Sequence, residues 1–554
     1  MKKSIVLLLA IGLLSAACVK VDNSLGKGLV DKGLIFNTYS TEIPLEQIKL
    51  KLSEDLSGYS DTRVTIGAIR DSKFGLTTRA AAFPLIPALD TLDLGDNPQA
   101  ISFDIFFEAD TISCADDNQA AIMQNILVYE LTEPLSLYKT GAMREIPHGT
   151  QKVTKGTPVY DGNGALDFNF TKEFAQNYLN KIKQLGPVFR SEEADSTELS
   201  NRYKAYVKEL PGIYIETDVP QGNGGRINMF NFSCLSVSNN YYYRNSNIAL
   251  LKFNSSWNGV QKDTTIMFIP GETEFVDEAS AITNNTKFYQ YCFNHTSHST
   301  QQVDNPTTEI LVEGGTGLKP VISAKELREK TISAIKERGG DPENAIIVKA
   351  TIELPYQNPE DYMDMKYFPS ILSPTIRTEG TSSKYPDQKI VAYAGLTDAS
   401  VSTENQGDID RSNLMYCPDI TYHLQELLKR EDLDTENNAD IWLLTIHTQK
   451  VANANGSLYD NSYYQNLLYA SYYNSLYGGG YGYGSYGGYG SYGYNSYSNY
   501  YNYMMLAQMM AASSQQTYSY NQELDKDRYY KAVLNGPTAE RKPMFKVTFA
   551  FPEE

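Results

Sequence analysis

Apolar and polar residues alternate with period two through much of the chain. Ile101, Phe103, Ile105 and Phe107 are interleaved with Ser102, Asp104 and Phe106, and near the end Phe545, Val547, Phe549 and Phe551 with Lys546, Thr548 and Ala550. Such alternation predicts strands with one buried face. Residues 126–131, 212–217, 249–253, 345–354 and 441–447 read the same way. Three stretches switch to helical spacing. Phe174, Tyr178, Ile182 and Leu185 share a face and stop at Gly186-Pro187; Ser323 and Glu326 form a capping box before Leu327, Ile332 and Ile335, with Gly339-Gly340 as terminator; Ile420, Leu424, Leu427 and Leu428 mark the third. Strands dominate and do not alternate regularly with helices, which disfavours a doubly wound parallel sheet. The expected fold is mainly β: tandem antiparallel β-sandwich, jelly-roll-like domains with a few short helices and a disordered Tyr/Gly-rich insertion.

That insertion spans residues 455–520, where Tyr, Gly, Ser and Asn replace aliphatic residues, as in Tyr477-Gly478-Gly479-Gly480-Tyr481. Glycine raises the entropy of ordering and little apolar burial offsets it, so a flexible loop is expected. Strand patterns on both sides place it within a domain. Its tyrosines also offer contact area for a glycan or a protein.

The first residues form a different apolar block. Lys2 and Lys3 precede a run from Ile5 to Leu14, too short to span a bilayer as a mature helix, followed by Ser15-Ala16-Ala17-Cys18. This is the pattern of a bacterial lipoprotein signal, although Ser15 stands where Leu is usual. Cleavage before Cys18 would expose it for acylation, and more than one chain on one residue gives stable anchoring. The domain reading is a signal at 1–17, a tether at 18–55, a β-sandwich at 56–220, a second β-rich region at 221–320, and a C-terminal α+β region at 321–454 plus 521–554, interrupted by the insertion.

The formal charge of −18 becomes −20 once Lys2 and Lys3 leave with the signal. That sign repels nucleic acid and anionic lipid. Four further cysteines, Cys114, Cys234, Cys292 and Cys417, are spaced unlike a disulfide scaffold and read as small buried hydrophobes, although an oxidising compartment permits three full pairings that sequence does not rank.

Candidate chemistry is sparse. Ser485 and Ser491 have tyrosine where a nucleophile elbow needs glycine, and Gln221-Gly222-Asn223-Gly224-Gly225-Arg226 lacks the Gly-Lys-Ser/Thr ending of a phosphate loop, leaving a tight turn between strands. Asp161-Gly162-Asn163-Gly164-Ala165-Leu166-Asp167 starts like a calcium loop but has Ala165 and Leu166 at the fifth and sixth positions, so a hairpin turn is expected. Cys292, His295 and His298 offer soft ligands at Cys-x-x-His-x-x-His spacing, without the fourth ligand or positioned base that zinc requires, and read as part of a polar loop. Dispersed carboxylates suited to glycoside hydrolysis carry no local signature. Of the two tryptophans, Trp442 lies in a core-like run. No catalytic residue, cofactor or metal is expected.

Several segments together resemble a family of Bacteroidota lipoproteins, domain-of-unknown-function family 4270. They are Ile66-Gly67-Ala68-Ile69-Arg70-Asp71-Ser72-Lys73-Phe74-Gly75-Leu76-Thr77, Val128-Tyr129-Glu130-Leu131-Thr132, Gly212-Ile213-Tyr214-Ile215, Phe293-Asn294 leading to His298, and Gly314-Gly315-Thr316-Gly317-Leu318, with a weaker echo at Leu534-Asn535. Ser299 departs from the Asp usual in that family after the histidine. Asp90-Thr91-Leu92, Asp110-Thr111-Ile112, Asp195-Ser196-Thr197 and Asp263-Thr264-Thr265 are similar to the O-glycosylation acceptor of that phylum. The resemblance implies an envelope lipoprotein with no assigned reaction, and its glycines Gly67, Gly75 and Gly212 are expected at turns. Its members carry acids after the lipidated cysteine as an export signal; here Val19-Lys20-Val21-Asp22-Asn23 has one. The expectation is a non-enzymatic protein lipid-anchored at Cys18 to a Bacteroidota-type outer membrane, the cell surface favoured over the periplasmic face. It would act as a binding or scaffold subunit of an outer-membrane or surface assembly with a protein partner. The alternatives are a surface glycan-binding lipoprotein or, behind it, a glycoside hydrolase.

Overall fold

The computed structural model describes residues 36–88, 92–110, 114–115, 122–189, 195–232, 236–238, 241–243, 248–279, 284–381, 389–397, 404–430, 433, 439–452 and 518–552. The chain is mainly β, 51% strand against 16% helix. Every described strand pairing is antiparallel. Cys18, Cys234 and most of the Tyr/Gly-rich insertion lie outside the described residues, as does its expected disorder. The strands gather around two main cores.

The described chain opens with β1 (Phe36–Pro44) and β2 (Ile48–Leu52). Residues 36–52 therefore do not extend the tether: both strands belong to the second core, described below. The first core is built from β3 (Arg63–Asp71), β4 (Gly75–Phe83), β5 (Asp96–Phe107) and β6 (Gln124–Leu131), then helices α1 (Lys172–Leu185) and α2 (Ser196–Glu209). It continues through β7 (Ile213–Thr217), β8 (Gly224–Asn231), β9 (Ile248–Trp257), β10 (Val260–Pro270) and β11 (Asn284–His298). The large sheet runs β6, β7, β4, β3, β8, with β11 also paired along β4; a smaller one holds β5, β9 and β10. Val64, Phe83, Ile126, Ile213 and Phe230 of the large sheet share one apolar core with Phe103, Phe107, Leu251, Phe253 and Phe268 of the smaller, closed by Tyr178 and Ile182 of α1 and Tyr206 of α2. Because β8 pairs with β3 and β11 with β4, the border drawn at 220/221 does not separate two units.

Alternation holds where the backbone is regular. Phe103, Ile105 and Phe107 are buried, but Ile101 is 46% exposed, because the register between β9 and β5 shifts at Lys252/Phe253 and turns Ile101 outward. Gly67 and Gly212 sit at close backbone approaches and not at simple turns: a Cβ on Gly67 would lie 2.2 Å from the Arg226 carbonyl oxygen, and one on Gly212 2.3 Å from that of Phe83. Gly75, at φ +66, does follow a turn, where Asp71 Oδ1 accepts from the backbone N–H groups of Lys73 and Phe74.

The second core joins the two ends of the chain. It contains β12 (Glu309–Glu313), β13 (Leu318–Ile322), α3 (Ala324–Glu337), β14 (Ile346–Pro355), β15 (Ile371–Thr381), α4 (Thr421–Lys429) and β16 (Ile441–Ala452). After the insertion come β17 (Tyr518–Leu524), β18 (Lys531–Asn535) and β19 (Met544–Pro552). One sheet runs β1, β19, β14; another places β2, β13, β16 and β15 side by side. Leu45, Ile48, Leu327, Ile335, Ile352, Leu424, Leu443, Phe545, Val547 and Phe549 fill the space between. The Ser323 hydroxyl accepts from the Glu326 N–H at 3.3 Å, which is the N-cap half of the expected capping box; the Glu326 carboxylate turns instead to Lys330 at 2.7 Å. β16 and β17 form a hairpin in which Ala452 faces Tyr518, so the insertion leaves and returns at neighbouring points. Tyr518–Tyr520, placed in the insertion from sequence, are part of this hairpin.

Candidate functional site

The residues singled out from sequence do not converge. β11 carries Cys292, His295 and His298, so the expected polar loop is a strand. Side chains alternate between faces, which puts His295 opposite the other two and leaves Cys292 and His298 about 20 Å apart along the strand. The Cys292 thiol is buried 3.0 Å from the Arg63 carbonyl oxygen. Cys417 is a half-buried free thiol, its pKa raised by burial, and Cys114 lies on a short strand beside Ile227. Asp161 closes an Asx turn, its Oδ1 accepting from the Asn163 N–H at 2.8 Å. This turn links strands of two different sheets and is not a hairpin. Gly224, Gly225 and Arg226 of the glycine-rich stretch already belong to β8, and Arg226 is buried and donates to the carbonyls of Ile122, Asp161 and Tyr160 at 2.8, 3.2 and 3.0 Å. Trp442 packs in the core with Val321 and Leu444.

Buried charge concentrates at the seam where the two cores meet. Arg63 opens β3 and is turned toward the loop after β17. Its Nε donates to Asp110 at 2.8 Å, and its Nη1 lies 3.5 Å from Glu523 and 3.7 Å from Asp527. Burial opposes this cation, but Asp527, Glu523 and Asp110 outweigh it and hold the guanidinium pKa above its usual range. Neighbouring acids are driven upward by burial, Asp61 to about 6, and Glu523 and Asp525 in the same direction. Arg79, on β4, donates to the Lys526 carbonyl at 2.9 Å. Lys531 and Asp71 pair at 2.7 Å, and Ile69 and Ile227 pack on Tyr367 and Tyr529 beside them.

The turn between β12 and β13 closes around a buried cation. Lys319 is fully buried, and its ammonium donates to the carbonyls of Glu313, Gly315 and Gly317, the latter two at 2.8 and 3.2 Å. Burial pulls its pKa down to about 7 against the opposing charges of Glu313 and Asp525. Asp525 Oδ2 accepts from the Gly315 N–H at 3.1 Å, and the Ser53 hydroxyl donates to the Gly315 carbonyl at 3.0 Å, tying this turn to β17 and to the end of β2. Beside it His298 faces Glu313 at 3.3 Å. Burial holds His298 neutral, whereas His298, the Thr300 hydroxyl and the Leu318 N–H keep Glu313 ionised despite burial. The proton then belongs on Nδ1, facing the carboxylate, and Nε2 is a buried acceptor with no donor.

Two hollows open at this seam. One, of about 20 Å³, is lined by Tyr59, Arg63 and the 523–528 loop; the other, of about 10 Å³, lies among Arg79, Asn294, Thr316 and Lys526. Spaces of this size hold a water molecule. The arrangement can neutralise charge and lock two packed bodies together. Sequence reasoning missed it, though Glu523-Leu524-Asp525-Lys526-Asp527-Arg528 is the densest mixed-charge run after the insertion.

No family model, curated protein or solved structure matches this chain.

Proposed function

We propose that the chain is a lipoprotein anchored through Cys18 to an outer membrane, on the cell-surface side, and that it works without catalysis as a binding or scaffold subunit of an envelope assembly. The observation that carries this reading is the signal ending at Cys18. The fold supports it: the first described strand begins at Phe36, so the anchor lies within about 60 Å of the folded part even if the chain between is fully extended. The buried cations at the seam are engaged by carboxylates and backbone carbonyls, a use that suits a rigid scaffold. We read the two cores as tandem antiparallel sandwiches. The resemblance to the Bacteroidota lipoprotein family belongs to the same proposal. A second reading, binding of a surface glycan, is favoured by the hairpin that presents the Tyr/Gly-rich segment from one point. Incorporation of labelled palmitate into the native chain, with Cys18→Ser as control, tests the anchor. Label confined to the native chain is expected; equal absence of label in both would overturn it.

A further inference from the structure

The outer face of the β1, β19, β14 sheet changes character along its strands. Phe36 lies beside Pro552; Thr38, Ala550 and Ile346 form the next row; the Ser40 and Thr548 hydroxyls bond at 3.1 Å in the row after. At the far end Lys546 pairs with Glu42 at 2.9 Å and Glu353 at 3.0 Å. Between these ends Lys349 is held by Asp419. The other face of the same strands carries Ile347, Phe549 and Phe551 into the second core. The apolar end is only partly covered: Ala550 is buried, but Phe36 is 42% exposed, Ile346 49%, and Val348, the extra residue of a bulge, 52%.

The position of this end identifies its occupant. Phe36 is the first described residue after Cys18, so the strand end these side chains share is the one nearest the anchor along the chain. We propose that this end of the sheet docks on a lipid surface, with Phe36, Ile346 and Val348 entering the headgroup region. The inference rests on the lipoprotein reading. Apolar faces bury about 5–10 Å into the interface, and the Glu42–Lys546 row lies six residues further along β1, about 20 Å away, where it stays in water. Phe36, Ile346 and Val348 carry no charge, and the lipidated chain's net −20 opposes anionic headgroups. A zwitterionic surface is the matching ligand.

Hydroxyl-radical footprinting tests this with the full lipidated protein on phosphatidylcholine vesicles and the Cys18→Ser chain in solution. Oxidation of Phe36, Ile346 and Val348 should fall about threefold or more on the vesicles, as expected for side chains moved out of water. Tyr362 and Met363, which are 73% and 61% exposed elsewhere, should be unchanged. Equal oxidation in both states overturns the proposal. Protection already present in the Cys18→Ser chain would assign the patch to a second copy or to residues 19–35, and also overturns it. Intact mass reports the acyl chains separately. Acylated protein without protection means that docking fails while the anchor stands; protein without acyl mass removes both.

Discussion

Three carbonyls converge on the Lys319 side-chain nitrogen, and replacing it takes that donor from Glu313 and leaves Gly315 and Gly317 to share the Ser53 hydroxyl. Each unsatisfied group costs about 1–3 kcal/mol, so Lys319→Met should destabilise the protein by at least about 1 kcal/mol near pH 9 in urea unfolding. The pH dependence distinguishes this cation from a neutral packing group. Its folded pKa lies near 7, below its ordinary value, so its contribution is present above about 10.5 and is lost as pH falls toward 7. The variant should lose that slope. Glu272 behaves in the opposite sense. Burial raises its pKa to about 8, and the Tyr203 hydroxyl donates to it at 2.7 Å. Its contribution is complete below about 4.5 and is lost as pH rises through 8. Glu272→Gln keeps an acceptor for Tyr203 and should flatten the fall in stability between about pH 4.5 and 8; an unchanged profile would show that the carboxyl stays ionised in the fold.

At the scale of elements, Gly67 lets β8 approach β3 at Arg226. Gly67→Ala should lower stability by more than about 2 kcal/mol, since neither backbone can yield within a packed sheet; circular dichroism melting checks this. The β16–β17 hairpin makes a converse prediction. Its arms already face each other at Ala452 and Tyr518, so replacing residues 455–517 with Asn-Gly should leave the melting temperature of the rest within about 2 °C, because closing a shorter loop costs little. Much of this level was legible in the residues. The N-cap at Ser323, the stop at Gly186 and the alternation of Phe545 to Phe551 each act through local geometry. Helix α2 was not legible. Its buried side chains are only Tyr203, Tyr206 and Val207, and its start, Asp195-Ser196-Thr197, looked like a modification triplet although Asp195 caps the helix by accepting from the Glu198 N–H at 2.8 Å. Ile101 failed because a bulge inverts its face, and bulges leave no mark in periodicity.

At the scale of the molecule, the two ends of the described residues pair with each other and the first core is inserted between them. Residues 36–52 looked like part of a tether because residues 19–55 are short on aromatics, yet β1 is held by β19, some five hundred residues later, and such pairing has no local signature. The seam was hidden for the same reason: Arg63, Asp110 and Glu523 are distant in sequence and become one network only through the fold. Arg63→Met would leave three carboxylates there without their cation, at a cost of about 3–5 kcal/mol. Chemical unfolding should then separate into two transitions, one for each core; a single transition at the native midpoint would show that the seam does not couple them. The binding and scaffold reading predicts a companion in the envelope. The most direct measurement is purification of the tagged protein from its native membrane in mild detergent, with mass spectrometry of intact chains and of whatever accompanies them. An acylated chain with one constant stoichiometric partner is the predicted result. A soluble, unacylated monomer with no companion would contradict the account.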